Sequence, residues 1–347
     1  MLRLVGLFSI IVFAYIAHVI LIEGKSELEK RNKLAELPSV VSLPEEVIDG
    51  VGLLWKTAEG EALCFQVDGW EGREGREAGG GVVLYMAGLM GSRLESFRQE
   101  EGEGTWGKKL LITIDRPGLG CTPSWGESSQ TRYIRVSDAV LDLVEGLGLG
   151  RKGVEVVGWS SGGPFALAVA ASAKERGVVI NSVKTVASDP QWARARWSTL
   201  VALPSHLALY GVVKLKVPKQ VVGSGALFVV ELLQGLGAAL GLSSLEEINR
   251  NFGESMMRNG TASGFAVAEE IRLERDLDYG FRLEDIENVQ VTIYHSRGDR
   301  LVPFTASEEL ASRIPGAQVV ELPPNGFRLF EEGHMIMEKF WDLIVEQ

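Results

Sequence analysis

Cysteine is almost missing from this chain, two in 347 residues, and histidine is scarce at four. So few cysteines exclude a disulfide-dense scaffold, and Cys64 and Cys121 have no C-x-x-C neighbours that would make a zinc ribbon. They read as two buried thiols or, second, as one bridge. Positive charge is short as well: 35 Lys+Arg stand against 46 Asp+Glu, a net −11. A surface that tracks phosphates needs clustered lysine and arginine, so nucleic acid is excluded as an expected partner. Phosphate loops are missing too. The glycine clusters Gly146/Gly148/Gly150 and Gly102/Gly104/Gly107 lack the lysine or the strand-to-helix context of such loops and read as turns. What is present is 46% hydrophobic residues and 41 glycines, the make-up of a globular chain of one large or two ordinary domains.

From Leu4 to Ile22 the chain is apolar except for Gly6, Ser9 and His18. As a helix this run would be about 28 Å long, one hydrocarbon thickness. Residues 1–22 therefore predict a transmembrane anchor. A cleaved signal peptide, with Arg3 before it and Gly24-Lys25-Ser26 as the cleavage site, competes, but its apolar core would be unusually long. A buried amino-terminal helix would need a polar face, which this run lacks. Lys25, Lys30, Arg31 and Lys33 follow the segment, so the positive-inside rule puts the bulk of the chain on the cytosolic side. The sequon Asn259-Gly260-Thr261 points the other way. Residues 23–48 read as a charged stalk, opened by capping-box spacing at Ser26 and Glu29 and ended by Pro38 and Pro44.

Beyond Val51, short β-branched runs alternate with helical stretches, the pattern of an α/β fold with a mostly parallel sheet. Leu53–Thr57 and Ala62–Val67 predict an opening hairpin. Gly81–Met86, Leu110–Asp115, Val154–Val157, Val183–Ala187, Val289–Tyr294 and Gln318–Leu322 predict six further strands. Helices are expected at Ser137–Leu147, Gly163–Arg176, Phe304–Ile314 and Met335–Val345. The alternation stops between residues 189 and 286. That stretch predicts a helical lid or cap inserted into a core made of residues 49–188 and 287–347, over the strand ends where open α/β sheets bind ligands. Its run Ala226–Leu242 carries Glu231, Gln234 and several glycines, which argues against a second membrane segment.

The sharpest local signal is Val154-Glu155-Val156-Val157-Gly158-Trp159-Ser160-Ser161-Gly162-Gly163, a predicted strand entering G-x-S-x-G and then a helix. A serine on so tight a turn needs glycine two positions before and after it, or neighbouring side chains collide. Ser160 then sits at a helix amino terminus, where dipole and free N–H groups favour developing negative charge. With Asp115-Arg116-Pro117-Gly118-Leu119-Gly120, similar to the D-x-P-G-x-G loop that precedes the elbow, the chain from Val51 to Gln347 resembles the α/β-hydrolase fold family.

That resemblance implies a triad in the order serine, acid, histidine. His295-Ser296-Arg297-Gly298-Asp299 through Pro303 resembles the acid loop, with Ser296 where glycine is usual, and Glu332-Gly333-His334-Met335 resembles the turn that presents the histidine. The implied catalytic residues are Ser160, Asp299 and His334, with Asp189 as the reserve acid after the preceding strand. His295 precedes the acid, against the family's order. The oxyanion donors would be the backbone N–H groups of Ser161 and of Leu89, the latter in Ala87-Gly88-Leu89-Met90-Gly91-Ser92-Arg93, which is similar to H-G-x-P-G-S-R with Ala87 for histidine and Met90 for proline.

The expected activity is acyl transfer from a carboxylic ester through an acyl-enzyme, without metal or organic cofactor. The substrate would be a small, apolar ester or acyl compound. Aspartate-nucleophile chemistry, as in epoxide hydrolases and haloalkane dehalogenases, is disfavoured by Ser160, and the G-G-S-W-G of proline iminopeptidases is not matched. An inactive membrane-tethered scaffold, or a thioester or carbon–carbon bond hydrolase, are the alternatives.

Overall fold

A computed structural model of the chain describes residues 53–68, 81–88, 91–93, 109–125, 131–191, 270, 279–299 and 302–322. The expected anchor and stalk, most of the 189–286 insertion, the last predicted helix, Leu89 and His334 lie outside these residues. Among the described residues no helix is long and apolar enough to cross a membrane.

All eight expected strands form, in one sheet: β1 (Leu53–Lys56), β2 (Ala62–Asp68), β3 (Val82–Met86), β4 (Leu110–Ile114), β5 (Val154–Trp159), β6 (Ile180–Val186), β7 (Gln290–Ser296) and β8 (Gln318–Leu322). Their order is β1-β2-β4-β3-β5-β6-β7-β8. β1 and β2 form the antiparallel hairpin, β2 runs antiparallel to β4, and every pairing from β4 across to β8 is parallel. Parallel strands are covered on both faces, which is why β3, β4 and β5 read as nearly unbroken apolar runs and are buried at every position but Glu155.

One face packs Leu84, Met86, Ile112, Val156, Val183 and Ile293 against two helices, α1 (Arg132–Gly146) and α2 (Gly163–Arg176). α1 buries Tyr133, Val136, Val140, Leu143 and Val144, the three-and-four spacing of one helical stripe, and Thr131 caps it by accepting from the Ile134 N–H. α2 is apolar almost all round because it lies under α1; there the small Ser137 donates to the Ala168 carbonyl at 3.1 Å. Gly177, in the left-handed region at φ 68°, closes α2. The opposite face gathers Val83, Tyr85, Val157, Trp159, Val186 and Tyr294. α3 (Phe304–Arg313) follows β7 and precedes β8.

The two cysteines form a disulfide, with Cα atoms 5.8 Å apart. Buried free thiols were the first reading from sequence, and the strand pairing explains the difference. β2 lies antiparallel beside β4, which brings Cys64 next to the loop that leaves β4, although 57 residues separate it from Cys121.

Candidate active site

β5 delivers Ser160 to the carboxyl edge of the sheet. Trp159 is still extended at φ −108°, but Ser160 has φ 50° and begins a short 3-10 turn, Ser160–Gly162, that runs directly into α2. A positive φ at a non-glycine residue costs about 1–3 kcal/mol and persists only where the surroundings hold it. Here the packing does so. A Cβ on Gly158 would sit 2.6 Å from the Gly162 carbonyl oxygen, and one on Gly162 would run into the carbonyl oxygens of Met86 and Ala87. The glycines at both flanks are therefore required by close backbone approach, as the spacing predicts.

The loop leaving β3 lies against this turn. A Cβ on Gly88 would sit 2.8 Å from Cε3 of Trp159 and 3.5 Å from Cβ of Ser160, so the backbone of Gly88 flanks the serine. Leu89, the expected donor one residue on, is outside the described residues. Ser161, the other expected donor, is buried at the turn, and its hydroxyl donates to Asp189 Oδ2 at 2.9 Å. Asp189 also donates its N–H to the Ser160 carbonyl at 3.2 Å, and its own carbonyl accepts from the Tyr279 hydroxyl at 3.0 Å. The reserve acid is thus bound to the elbow itself, through the residue after the serine.

Asp299 stands in the loop after β7. Its Oδ1 accepts the Val302 N–H at 3.0 Å and its Oδ2 lies 3.1 Å from His295 Nε2. Both Asp299 and His295 are buried. His334, the expected third member of a triad, is outside the described residues.

The D-R-P-G segment organises the loops between these residues. Asp115 accepts from the backbone N–H groups of Arg93 and Cys121 at 2.6 and 2.8 Å and pairs with the Arg93 guanidinium at 2.5 Å. Arg116 turns the other way. It is wholly buried, donates to the carbonyls of Ala87 at 2.5 Å and Gly88 at 2.7 Å, pairs with Glu270, and stacks over Phe165 of α2 at 5.1 Å. Sequence reading left Arg116, Glu270 and His295 without a role. Arg116 was visible inside its motif; Glu270 sits in a stretch with no motif, and His295 was set aside on chain order alone.

Cys64, Asp115 and Cys121 are close enough together to suggest metal ligands, but both sulfurs are committed to the disulfide, which leaves no thiolate to bind an ion.

A sequence model of the alpha/beta hydrolase family matches residues 91–347. The chain belongs to that family. Similar solved structures include an esterase from Exiguobacterium antarcticum, at 16% identity and TM-score 0.54, covering 85% of this chain and 97% of that one. An enol-lactonase from Burkholderia xenovorans aligns at 16% identity and TM-score 0.56, over 84% and 98% of the two chains. A bromoperoxidase from Bacillus anthracis aligns at 19% and 0.53, over 78% and 91%. At such identities the likeness is one of fold. No curated protein sequence matches the chain.

Proposed function

We propose that this protein is a serine hydrolase that cleaves a carboxylic ester or related acyl substrate through an acyl-enzyme on Ser160. The observation that carries this reading is the backbone of Ser160, at φ 50° between a buried strand and a buried helix, with Gly158 and Gly162 packed too closely to bear side chains. A fold keeps such strain where the strained residue does work. The turn offers amide donors at the start of α2 for a developing oxyanion.

In this mechanism His334 accepts the Ser160 proton as the oxygen attacks the carbonyl carbon, and Asp299 orients the imidazole and stabilises its charged form. The N–H groups of Leu89 and Ser161 meet the oxyanion; His334 then protonates the leaving alcohol. Water repeats the sequence against the acyl-enzyme and releases the acid, restoring Ser160. Asp299 is preferred to Asp189 because it stands in the loop after β7, the acid position that the resemblance implies, whereas Asp189 is bound to the elbow itself through Ser161. The reading extends to a membrane anchor over residues 1–22, outside the described residues, and to a lid over residues 189–286, most of them outside, that shapes an apolar acyl site.

A fluorophosphonate probe tests the reading. Adduct on the peptide carrying Ser160, lost in Ser160→Ala, is the expected result. Folded protein that takes up no label would favour the inactive scaffold, and a panel of esters, thioesters and β-diketones then separates the acyl chemistries.

A further inference from the structure

We infer that Arg116 is a positioning residue for the oxyanion site, and that Glu270 couples it to the segment between β6 and β7. The inference rests on the serine-hydrolase reading for its catalytic consequence, and on the contacts of Arg116 for its geometry. Nη1 donates to the Ala87 carbonyl and Nη2 to the Gly88 carbonyl, so one rigid guanidinium grips two successive peptide units of the loop beside Ser160. The Gly88 carbonyl and the Leu89 N–H belong to the same peptide unit. A bond that does not precede proline is trans as a rule, and across a planar trans unit the N–H points opposite to the C=O. Holding the Gly88 oxygen would therefore fix the direction in which that unit's N–H points, and a charged donor on the carbonyl would also polarise the amide into a stronger donor.

Three surroundings keep the guanidinium in place. Glu270 accepts from Nε at 2.7 Å and from Nη2 at 2.9 Å, the paired geometry that arginine and carboxylate share. The Phe165 ring from the first turn of α2 covers its face. Arg132, whose guanidinium also donates to the Pro117 carbonyl, lies 3.6 Å from the same carboxylate. Arg116 and Glu270 are 0% and 1% exposed, so neither charge is met by bulk water and the ion pair is the main compensation for both. A change in the inserted segment that moved Glu270 would thus be felt at the loop donor. The loop opens with Ala87, a residue with no side-chain hydrogen bond to offer; Arg116 supplies from a neighbouring loop the anchoring that Ala87 cannot.

The test uses the full-length protein and two variants. Arg116→Met alone leaves Glu270 buried without its main partner, so the double variant Arg116→Met/Glu270→Leu, which removes both charges, accompanies it. Backbone amide hydrogen exchange of the segment 86–93 is compared with wild type, together with kcat and KM on p-nitrophenyl butyrate. The expected result for both variants is faster exchange in 86–93, with kcat lowered about 10- to 100-fold and KM changed less than about threefold, as for loss of donor aim rather than of substrate binding. Wild-type exchange in 86–93, or wild-type kcat, in the folded double variant overturns the inference. Were the wild-type protein itself to turn over no ester and take no fluorophosphonate, the serine-hydrolase reading would fall, and the exchange measurement would still decide whether Arg116 holds the loop.

Discussion

His295 Nε2 lies 3.1 Å from Asp299 Oδ2 and 2.9 Å from the carbonyl oxygen of Val302. Both neighbours only accept, so the proton sits on Nε2, and Nδ1 faces the Ser307 hydroxyl at 2.5 Å. His295 is fully buried and holds one oxygen of the carboxylate while the Val302 N–H holds the other. Replacing it leaves a buried carboxylate short of a donor. His295→Leu is expected to lower kcat roughly tenfold and to destabilise the fold by about 1–3 kcal/mol. Thermal unfolding and ester turnover measured on the same preparation check both effects; an unchanged kcat would show that Asp299 needs no such support.

The two acids make opposite predictions. Asp299→Asn should leave the fold intact and lower turnover by about 10³-fold or more, because an amide there cannot stabilise a charged imidazole. Asp189→Asn should keep most turnover, since its carboxylate serves the Ser161 hydroxyl and its backbone contacts to Ser160 and Tyr279 survive the change. Steady-state kinetics on one ester ranks the pair. The reverse ranking would make Asp189 the acid.

The strands and the elbow were legible for a physical reason: parallel strands buried on both faces appear as apolar runs, and Gly158 and Gly162 answer a steric demand local in sequence. All eight expected strands and three of the four expected helices lie within the described residues, with ends shifted by a few positions; the largest shift is at α1, which starts at Arg132 rather than Ser137. Thr131 explains it, since its side chain caps the helix five residues earlier than the first strongly periodic positions. What could not be read were contacts made by strand order. The Cys64–Cys121 bridge depends on β2 lying beside β4, and the grip of Arg116 on Ala87 and Gly88 depends on β3 lying beside β4. Glu270 meets Arg116 across 154 residues, with no local pattern to announce it.

The Cys64–Cys121 bridge should be present in the isolated protein. It closes a loop of 57 residues next to Asp115, whose N–H donates to the Cys64 carbonyl and whose Oδ2 accepts from the Cys121 N–H. Alkylation before reduction should add no mass, and alkylation after reduction should add two adducts. The double variant Cys64→Ser/Cys121→Ser should lose about 2–4 kcal/mol of stability, mostly through a less constrained unfolded chain. Such bridges persist in oxidising compartments, so a bridge recovered intact from freshly isolated protein would argue for the side opposite to that favoured by the charges following residues 4–22. A glycan on Asn259 would be the independent sign of the oxidising side; free thiols in freshly isolated protein would restore the cytosolic orientation.

Lys184 on β6 brings its charge into a buried position. Burial pushes its ammonium below the ordinary 10.5, outweighing the pull of Glu155 at 3.5 Å, and Lys109 adds repulsion. A lysine whose folded value is lowered binds its proton more weakly in the native state. In the window below 10.5 the unfolded chain holds more protons, so this group makes stability rise with pH there and penalises the fold most at neutral pH and below. Lys184→Met removes the penalty, while Glu155 retains Lys109 at 2.7 Å. The variant should be more stable than wild type at pH 7, and its advantage should shrink as the pH is raised toward 10.5. Urea unfolding at a series of pH values measures this; a variant less stable than wild type at pH 7 would mean that the Lys184–Glu155 pair outweighs the burial it requires.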